Sequence, residues 1–568
     1  MVTGIPPPLD LNKIKRGMDM ASDEKNNYKD LDYDRLYENF EWDIPEFYNF
    51  GFDVVDKWGE DRTKLSLVSI HPDGEKSSYH TFYDLKVLTD KFANVLLDMG
   101  LKKGDRVLVM LESIPQWYVV MIAMFKLGII PMPGTVLLTS KDIKYRINRA
   151  EACMVITDVC HVSRVERIAN ECPTLEHKMV VDAPMLEWLD YSEMMKKVPN
   201  ELDMDRVGKT RTTDPMLLYF TSGTTGQPKM VLHTHSYPLG HYVTAKFAQS
   251  LTSKDLHWTI SETGWAKAAW GKLFGQMIVG AAIIQWETPG RFDPDGLLKA
   301  MERHGVTTFC APPTVYRMLI QQDLSNYNLK LRHCMSAGEP LNPEVIKVWK
   351  ETFGLDIYDF FGQTETVCVI SNFPFMPIKY GSVGKPTPGH DVRIVDDEGN
   401  EMPPGEEGNI AIYLGDHRPP GLMKEYWKDK EAMERAFHHN YYFTGDRAYR
   451  DEDGYFWFVG RDDDVIKSSG YRIGPFEVES SLQEHPAVAE CAVVGAPDPE
   501  GVRGTLVKAY IILAKGYKPS DGLTKDIQNY VKKNTAPYKY PRIIEYVKEL
   551  PKTISGKIRR KELREKND

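Results

Sequence analysis

Hydrophobic and polar positions alternate between helical and strand-like patterns along most of the chain. Thr81 and Asp84 form a capping box ahead of an apolar series at helical spacing that closes at Gly100. The run 106–111 then predicts a strand, and a proline-led apolar run predicts a helix that ends near Gly128. Further short apolar runs lie beside helical patterns at 129–132, 154–157 and 307–311. Repeated strand–helix units of this kind favour a layered α/β fold.

The pattern of apolar and polar residues is interrupted near residue 460 by the polar, charged run Gly-Arg-Asp-Asp-Asp. The patterns beyond it predict a helix over 475–485, strands over 487–494 and 506–513, a helix over 520–534 and a strand over 543–547. A unit of roughly a hundred residues has the usual size of a small domain. We therefore expect a large layered α/β domain over 1–461 and a small α+β domain over 462–568, joined by a hinge at Asp462.

The charge balance limits the partners of this 568-residue chain. It carries 71 Lys and Arg against 81 Asp and Glu, a net charge of −10, and 42% of its residues are hydrophobic. That content suffices for a buried core, and the acidity argues against nucleic acid as a partner. The first 48 residues form an acidic extension, whereas 539–568 hold 10 basic and 5 acidic residues. The basic end suits either a solvated surface or contact with phosphate-bearing ligands.

Cysteine usage and apolar runs bear on the compartment. The seven cysteines form no CxxC pair, which favours reduced thiols over disulfides or structural zinc. The first residues lack the apolar core of a signal peptide, and the acidic stretch behind them does not suit a transit peptide. The runs 117–125 and 273–284 are too short or too interrupted to span a bilayer. We expect a cytoplasmic protein without a transmembrane segment.

One polar segment between the apolar runs 216–220 and 230–232 carries the strongest chemical signal. It reads Tyr219-Phe220-Thr221-Ser222-Gly223-Thr224-Thr225-Gly226-Gln227-Pro228-Lys229. Its glycines admit backbone amides close to a polyphosphate, its hydroxyls donate to phosphate oxygens, and its lysine supplies charge. The order is not that of a Walker A loop. A polar surface turn is the alternative, and the ordered Pro-Lys ending favours the phosphate-binding interpretation.

This segment resembles the phosphate-binding loop of the acyl-adenylate-forming superfamily, and five further motifs of that superfamily come after it in order. They are Ser336-Ala-Gly338-Glu339-Pro340-Leu341, Asp359-Phe360-Phe361-Gly362-Gln363-Thr364-Glu365, Tyr442-Phe-Thr-Gly445-Asp446, Gly460-Arg461-Asp462 with Lys467-Ser-Ser469-Gly470-Tyr471-Arg472-Ile473, and Pro551-Lys-Thr-Ile-Ser555-Gly556-Lys557. Six ordered motifs over 219–557 are far more specific than any one of them. Thr263-Gly264-Trp265 and Thr535-Ala-Pro-Tyr538-Lys-Tyr-Pro541 look most like the medium-chain acyl-CoA synthetase branch.

The resemblance implies a site for ATP and AMP. Its residues would be Thr221, Ser222, Gly223, Thr224, Thr225, Gly226, Gln227, Pro228, Lys229, Gly338, Glu339, Pro340, Asp359, Phe360, Phe361, Gly362, Gln363, Thr364, Asp446, Arg461 and Lys557. Phe360 or Phe361 would stack on adenine, although paired aromatics are usually core residues. Asp446 would accept from the ribose hydroxyls. Glu365, with Thr224, would hold Mg²⁺ that bridges phosphate oxygens.

The resemblance also implies the reaction and its catalytic groups, which are Thr364, Glu365, Gly470 and above all Lys557. A carboxylate would attack ATP to give acyl-AMP and pyrophosphate, and the thiol of coenzyme A would then displace AMP. Lys557 would stabilise the charge that develops in the first step. After a pivot at Asp462, the face around Gly470 would replace it for the second step, since a glycine lets the pantetheine arm pass close to the backbone.

Two further residue sets come from the resemblance. The coenzyme A set is Ser469, Gly470, Tyr471, Arg472, Arg503 and Lys532, and the acyl-pocket set is Trp265, Lys267, Trp270, Gly338 and Gln363. Lys267 and Lys272 are out of place beside an apolar pocket, and we expect Lys267 to point to solvent, as most lysines do. If it reaches the pocket instead, it favours short or branched acids over long linear ones.

Two alternatives to an AMP-forming acyl-CoA synthetase for short- to medium-chain acids remain open. One is an acyl-adenylate-forming ligase with another acceptor, and coenzyme A dependence separates the two. The other is a non-catalytic nucleotide-binding relative, against which the retained Lys557, Glu365 and Asp446 argue. The preferred acid, the role of residues 1–48 and the oligomeric state, a homo-oligomer included, are left undetermined.

Overall fold

The computed structural model describes residues 31–221, 227–287, 292–338, 341, 343–416, 418–462, 464–468, 471–498, 505–552 and 558–566, with the backbone alone at 467, 471 and 472. Over these residues the fold is mixed α/β, with a large sheet-rich N-terminal domain and a small C-terminal domain. Within the same residues, no helix combines the length and the apolarity that crossing a membrane requires. The seven cysteines are free thiols.

The first third of the chain contributes a five-stranded parallel sheet and two strands of a second, larger sheet. Its elements are α1 (Tyr33–Glu38), β1 (Leu65–Ile70), β2 (Ser77–Thr81), α2 (Phe82–Asp98), β3 (Arg106–Met110), α3 (Pro115–Leu127), β4 (Ile130–Pro133), α4 (Ser140–Ala150), β5 (Met154–Thr157), α5 (Val162–Glu166), β6 (His177–Val180), β7 (Leu189–Asp190) and α6 (Tyr191–Lys196). Strands β4-β3-β5-β6-β7 pair in that order, all parallel. The Thr81 capping box and the left-handed Gly128 that ends α3 confirm two predicted helix boundaries.

The middle of the chain builds the larger sheet and a hairpin. Its elements are β8 (Pro215–Thr221), β9 (Lys229–Thr234), α7 (Tyr237–Val243), β10 (Leu256–Thr259), α8 (Ala266–Lys272), α9 (Phe274–Ile278), β11 (Ala282–Trp286), α10 (Pro294–His304), β12 (Thr308–Ala311), α11 (Pro313–Leu319), β13 (His333–Ala337), α12 (Pro343–Phe353), β14 (Ile357–Gly362), β15 (Cys368–Ser371) and β16 (Lys385–Pro386). The nine-stranded order is β16-β15-β14-β13-β12-β10-β11-β1-β2, parallel from β14 to β1 and antiparallel at both edges. Strands β8 and β9 pair antiparallel outside it.

An antiparallel sheet completes the large domain. Its elements are β17 (Val392–Val395), β18 (Glu407–Tyr413), β19 (Glu425–Tyr426), α13 (Lys430–Ala436), β20 (Phe437–His438), β21 (Tyr441–Arg450) and β22 (Phe456–Arg461). Strands β17-β18-β21-β20 pair in that order and β22 adds to β21, while β19 joins β9 instead. The hairpin β8–β9 is therefore tied to the segment after β18.

The C-terminal domain has its own small sheets and its own core. Its elements are β23 (Ile466–Ser468), β24 (Tyr471–Ile473), α14 (Pro475–Gln483), β25 (Val488–Pro497), β26 (Thr505–Leu513), α15 (Asp521–Asn534), β27 (Ile543–Tyr546) and α16 (Arg560–Glu565). Ile473, Val478, Ile511 and Ile527 belong to one buried cluster that is separate from the clusters of the large domain. The predicted helices and strands beyond residue 475 are thus present, within a few residues of their expected ends.

The described part of the N-terminal extension packs on the large domain. The Tyr33 and Tyr37 hydroxyls and the Trp42 indole N–H donate to the backbone carbonyls of Pro386, His390 and Gly389, at 2.8, 3.1 and 2.8 Å. Residues 33–42 therefore hold the turn between β16 and β17, and we refer to them as the N-terminal strap.

Candidate functional site

The hairpin β8–β9 presents the base of the predicted phosphate loop. Thr221 ends β8 opposite Lys229, which begins β9. Residues 222–226 between them, which include the five central predicted phosphate contacts, lie outside the described residues. Within the described part of this segment, Thr221, Gln227, Pro228 and Lys229 are therefore available for comparison with the prediction.

Lys229 and Glu365 meet through a tyrosine that the sequence did not indicate. The Lys229 ammonium lies 4.7 Å from the ring centroid of Tyr426, and the Tyr426 hydroxyl donates to Glu365 Oε1 at 2.8 Å. Tyr426 is in β19, which pairs with β9, so the sheet itself brings these groups together. Burial, with the charge of Glu365 next, raises the pKa of Tyr426 far above its usual value and keeps the phenol protonated as a donor. The loop base and the predicted metal ligand thus share one wall.

Gln363 and Asp446 form the neighbouring part of the site. Gln363 Nε2 donates to Asp446 Oδ2 at 2.5 Å and to the Thr444 carbonyl at 2.8 Å, and the Tyr442 hydroxyl donates to Gln363 Oε1 at 2.8 Å. Asp446 is only 4% exposed. Its other oxygen, Oδ1, lies 3.6 Å from Arg461 Nε, because β21 and β22 pair these two residues directly. The Gln363 amide is thus committed to the Asp446 side of the site.

Residue 364 links the site to a buried histidine. His233 Nε2 is 2.8 Å from the Thr364 carbonyl, and burial lowers the pKa of His233 to about 3. The imidazole is therefore neutral, and its Nε2–H donates to that carbonyl. Sequence reasoning missed His233 as well as Tyr426. The signal available for His233 was its place in the strand directly after the phosphate segment, whereas nothing in the pattern around Tyr426 marked it.

The two aromatic candidates for adenine face opposite ways, as neighbours on a strand do. Phe360 is 3% exposed and its ring centroid lies 5.8 Å from that of Trp270, so Phe360 is a core residue packed beside a predicted acyl-pocket residue. Phe361 is half-buried, with its ring 6.3 Å from Phe458. Phe361 therefore keeps a partly accessible ring. Gly362 is required by packing, because an added Cβ would meet the Val367 carbonyl oxygen at 2.3 Å.

Parallel pairing of β13 with β14 brings the two predicted adenine-side motifs together. Ser336 is the partner of Asp359 in this register. Burial raises the pKa of Asp359 to about 7, against the lowering effect of the Leu341 and Phe360 amides and of Lys267. Gly338 comes directly after β13 with φ +101°, and an added Cβ would meet no atom of the described residues within 4 Å. The glycine thus leaves open space beside these strands, while Glu339 and Pro340 lie outside the described residues.

The expectation that Lys267 points to solvent is wrong. Lys267 is half-buried in α8, and its Nζ donates to the Ala337 carbonyl at 3.0 Å, immediately before Gly338. The helix thus carries this cation to the end of β13. Lys272 at the end of α8 is 2% exposed and donates to Ser113 Oγ at 2.9 Å. Burial lowers the pKa of Lys272 to about 8, opposed by Glu262 and Glu112.

The C-terminal candidates are described only in part. Lys557 lies outside the described residues, as do Ser469, Gly470 and Arg503, and the side chains of Tyr471 and Arg472 are not described. Lys552 and Ile558, which flank the predicted catalytic loop, pair as an isolated bridge. Lys532, in the last turn of α15, lies 5.4 Å from the ring centroid of Tyr540. Asp462 is held on β21, since its amide donates to Gly445 at 3.1 Å and its carboxylate accepts from Arg447 at 3.3 Å.

Comparison with known proteins places this arrangement in a family. A family model described as "AMP-binding enzyme" matches residues 54–427, and one described as "AMP-binding enzyme C-terminal domain" matches 477–557. The human mitochondrial acyl-coenzyme A synthetase ACSM3 is 46% identical over 546 residues, 94% of this chain and 92% of that protein. Rat mitochondrial ACSM4 is 45% identical over 92% of this chain and 91% of its own length.

Solved structures of acyl-CoA ligases and synthetases share this fold. The anthranilate CoA ligase AuaEII in complex with anthranoyl-AMP superposes with a TM-score of 0.84 at 32% identity, over 92% of this chain and 98% of that one. A Brucella canis acyl-CoA synthetase superposes with a TM-score of 0.71 at 32% identity, over 95% and 97%.

These relatives overturn the expected cytoplasmic location. The curated ACSM3 and ACSM4 relatives are mitochondrial, and they point to a mitochondrial location for this chain. The reasoning from reduced thiols failed because free cysteines do not separate one reducing compartment from another, and the composition of the first residues was a weak guide.

Proposed function

The chain belongs to the AMP-binding enzyme family and is an AMP-forming acyl-CoA synthetase, and we propose that it activates short- to medium-chain carboxylic acids. One observation carries the assignment of the site: Gln363 and Glu365, two positions apart, are hydrogen-bonded in two directions, to Asp446 and to Tyr426. At one end of this three-residue segment lies Asp446, a carboxylate suited to accept hydrogen bonds from ribose hydroxyls. At the other end lies Tyr426, beside the lysine that follows the predicted phosphate loop.

ATP would lie along this segment. The Asp446 carboxylate accepts from ribose hydroxyls, Arg461 beside it provides a cation, and the half-buried ring of Phe361 packs on adenine. Glu365 would hold Mg²⁺ together with Thr224 of the loop. Among the described residues no group of three or more His, Cys, Asp or Glu is placed to hold a metal, so the ion would rely on ATP oxygens and water, as Mg²⁺ commonly does. When bound, it would neutralise charge on the phosphates.

The reaction has two steps at one site. A carboxylate oxygen of the acid attacks the α-phosphorus, the bond to the β-phosphate oxygen breaks, and pyrophosphate leaves. The thiol sulfur of coenzyme A, after losing its proton, then attacks the acyl carbon and the C–O bond to AMP breaks. We assign stabilisation of the first step to Lys557 and Thr364, and passage of the pantetheine arm to Gly470, with Ser469, Tyr471, Arg472, Arg503 and Lys532 as coenzyme A contacts. Asp462 is the proposed pivot between the steps.

A compact acyl pocket would lie around α8. Trp270 is packed against Phe360, which closes that side, and Lys267 places a cation beside the open space at Gly338. Covering this ammonium with an apolar chain would remove water from it at a cost in free energy, so a long apolar chain beside Lys267 is disfavoured. The solved relative named for anthranilate ligation is likewise named for a compact acid.

Acid-dependent ATP–pyrophosphate exchange tests this function. The panel would run from acetate to decanoate and include branched and aromatic acids, with AMP release followed with and without coenzyme A. Exchange with one class of acid and AMP release that depends on coenzyme A would support the proposal. Exchange without coenzyme A dependence would indicate another acceptor, and absence of exchange with every acid would overturn the enzyme assignment.

A further inference from the structure

A cavity of about 360 Å³ lies beside the base of the hairpin β8–β9. Its walls are the last turns of α4, with Tyr145 and Arg149, the chain from Gln227 to Met230, and the segment that begins at Trp427. The Tyr145 hydroxyl donates to the Pro228 carbonyl at 3.1 Å, and the Trp427 amide donates to Met230 at 2.8 Å. Hydrogen bonds therefore fix these walls to the strand that carries the predicted phosphate loop.

The charges around this cavity are predominantly positive. Arg149 is exposed, donates to the Lys428 carbonyl at 2.8 Å, and has no carboxylate within 4 Å among the residues that the structure describes. Arg106 and Lys428 lie 5.8 and 4.9 Å from the indole centroid of Trp427. Because these two cations already lie over the indole ring, they compete with an aromatic ligand for its faces. An anion, in contrast, would be attracted by them.

The acidic groups nearby are already engaged. Asp429, which also lines the cavity, accepts from the Ala432 amide at 3.0 Å, and Glu151 accepts from Lys428 Nζ at 2.7 Å. Each of these carboxylates thus already has a partner, whereas Arg149 lines the cavity with a guanidinium that is hydrogen-bonded only to a backbone carbonyl among the contacts of the described residues. Lys229 also lines the cavity, while its ammonium lies over Tyr426, the partner of Glu365. The cavity and the candidate site are therefore both bounded by this one residue of β9.

We propose that this cavity is a transient binding site for pyrophosphate. After adenylation, Arg149 attracts the departing pyrophosphate away from the phosphate loop and into the cavity. The inference depends on the proposed function, which supplies the pyrophosphate. No bond forms or breaks at the cavity. The anionic ends of pyrophosphate match the cationic wall, and the volume accommodates a hydrated diphosphate.

The test compares Arg149→Gln with Arg149→Lys and with Arg435→Ala. Arg435, an exposed arginine on the adjacent α13 that does not line the cavity, controls for the overall loss of one charge. Losing a hydrogen bond to a charged group predicts that Arg149→Gln raises the inhibition constant of pyrophosphate in the forward reaction by about tenfold or more. Arg149→Lys and Arg435→Ala should stay within about twofold of wild type. Single-turnover acyl-AMP formation should be unchanged in all three.

Two further measurements distinguish failure of the cavity proposal from failure of the proposed function. Titration calorimetry with pyrophosphate and no acid tests the cavity independently of turnover, so Arg149-dependent binding by a chain that forms no acyl-AMP would sustain the cavity and remove the proposed function. KM values for coenzyme A and 3′-dephospho-coenzyme A test the other source of a phosphate group. An unchanged pyrophosphate inhibition constant in Arg149→Gln, or a KM change confined to the 3′-phosphorylated form, would overturn the proposal.

Discussion

Lys267 and Gln363 take their positions in the site from hydrogen bonds with distant parts of the chain. Asp446 and Glu365 could be selected from motifs because each stands at a fixed place in a recognisable string. The direction of Lys267 could not, since its half-buried position depends on the carbonyl of Ala337, 70 residues along the chain. The same holds for Gln363, whose amide is oriented by Tyr442 and Thr444 from β21.

The placement of Lys267 predicts a change in acid preference. Lys267→Ala removes a cation beside Gly338, so kcat/KM for octanoate relative to butanoate should rise at least about tenfold, since even one methylene in an apolar pocket is worth roughly 1–3 kcal/mol. Exchange rates across the acid panel measure this ratio. Lys299→Ala, at an exposed pair with Asp295, is the control. An unchanged chain-length profile would remove Lys267 from the pocket.

At the scale of elements, local signals were sufficient for helices and insufficient for pairing. Thr81, Gly128 and Ser520 mark the ends of α2, α3 and α15 because caps act over three or four residues. Strand β1 pairs with β11, whose residues lie more than 200 positions away. No periodicity specifies such a partner. The tie of β19 to β9, which delivers Tyr426, was missed for the same reason.

A buried ion cluster joins α2, α3 and the segment that contains Asp56. Lys126 of α3 is fully buried, with its Nζ 2.6 Å from both Asp56 and Asp90. Removing one partner of a buried pair costs about 3–5 kcal/mol, so Lys126→Met should lower the unfolding midpoint clearly at neutral pH. Replacing Asp56 and Asp90 by Asn in the same chain should restore most of the loss.

The pH dependence of that loss has a defined sign. Burial raises the pKa of Asp56 from 3.8 to about 6 although Lys126 lowers it, so without Lys126 the folded-state pKa rises further. A carboxyl with a raised folded pKa favours folding below its unfolded pKa, and this contribution is lost as pH rises through the folded pKa. The loss of stability caused by Lys126→Met, measured by thermal unfolding, should thus be small near pH 4 and large at pH 7.5. Equal deficits at both pH values would contradict this account.

The N-terminal strap gives a second prediction at this scale. Gly389 has φ +82°, and an added Cβ would lie 2.5 Å from Trp42 Nε1. Gly405 has φ +83°, and a Cβ added there would meet no atom within 4 Å in the part of the chain that the structure describes. Because the backbone strain is matched, Gly389→Ala should cost about 1–3 kcal/mol more than Gly405→Ala, the usual range for overpacking. Thermal unfolding of both variants measures the difference. Equal losses would show that the strap does not pack on this turn in solution.

At the scale of the whole molecule, the proposal requires the small domain to serve two steps. Lys557→Ala should slow acyl-AMP formation about 10²–10³-fold, as expected for loss of an electrostatic stabiliser, and largely spare thioester formation from preformed acyl-AMP. Gly470→Leu should damage the second step more, because a side chain there obstructs the pantetheine arm. Rapid-quench assays of each half-reaction resolve the two. Equal damage to both steps by either variant would refute the two-face model.

The central claim is that an acyl-AMP intermediate connects ATP to the thioester, and isotope transfer tests it most directly. The acid would be supplied with both carboxylate oxygens as ¹⁸O, together with ATP and coenzyme A, and the products analysed by mass spectrometry. Attack of the carboxylate on the α-phosphorus predicts one ¹⁸O atom in each AMP and none in pyrophosphate. Unlabelled AMP, or label in a phosphate released from the γ-position, would contradict the account.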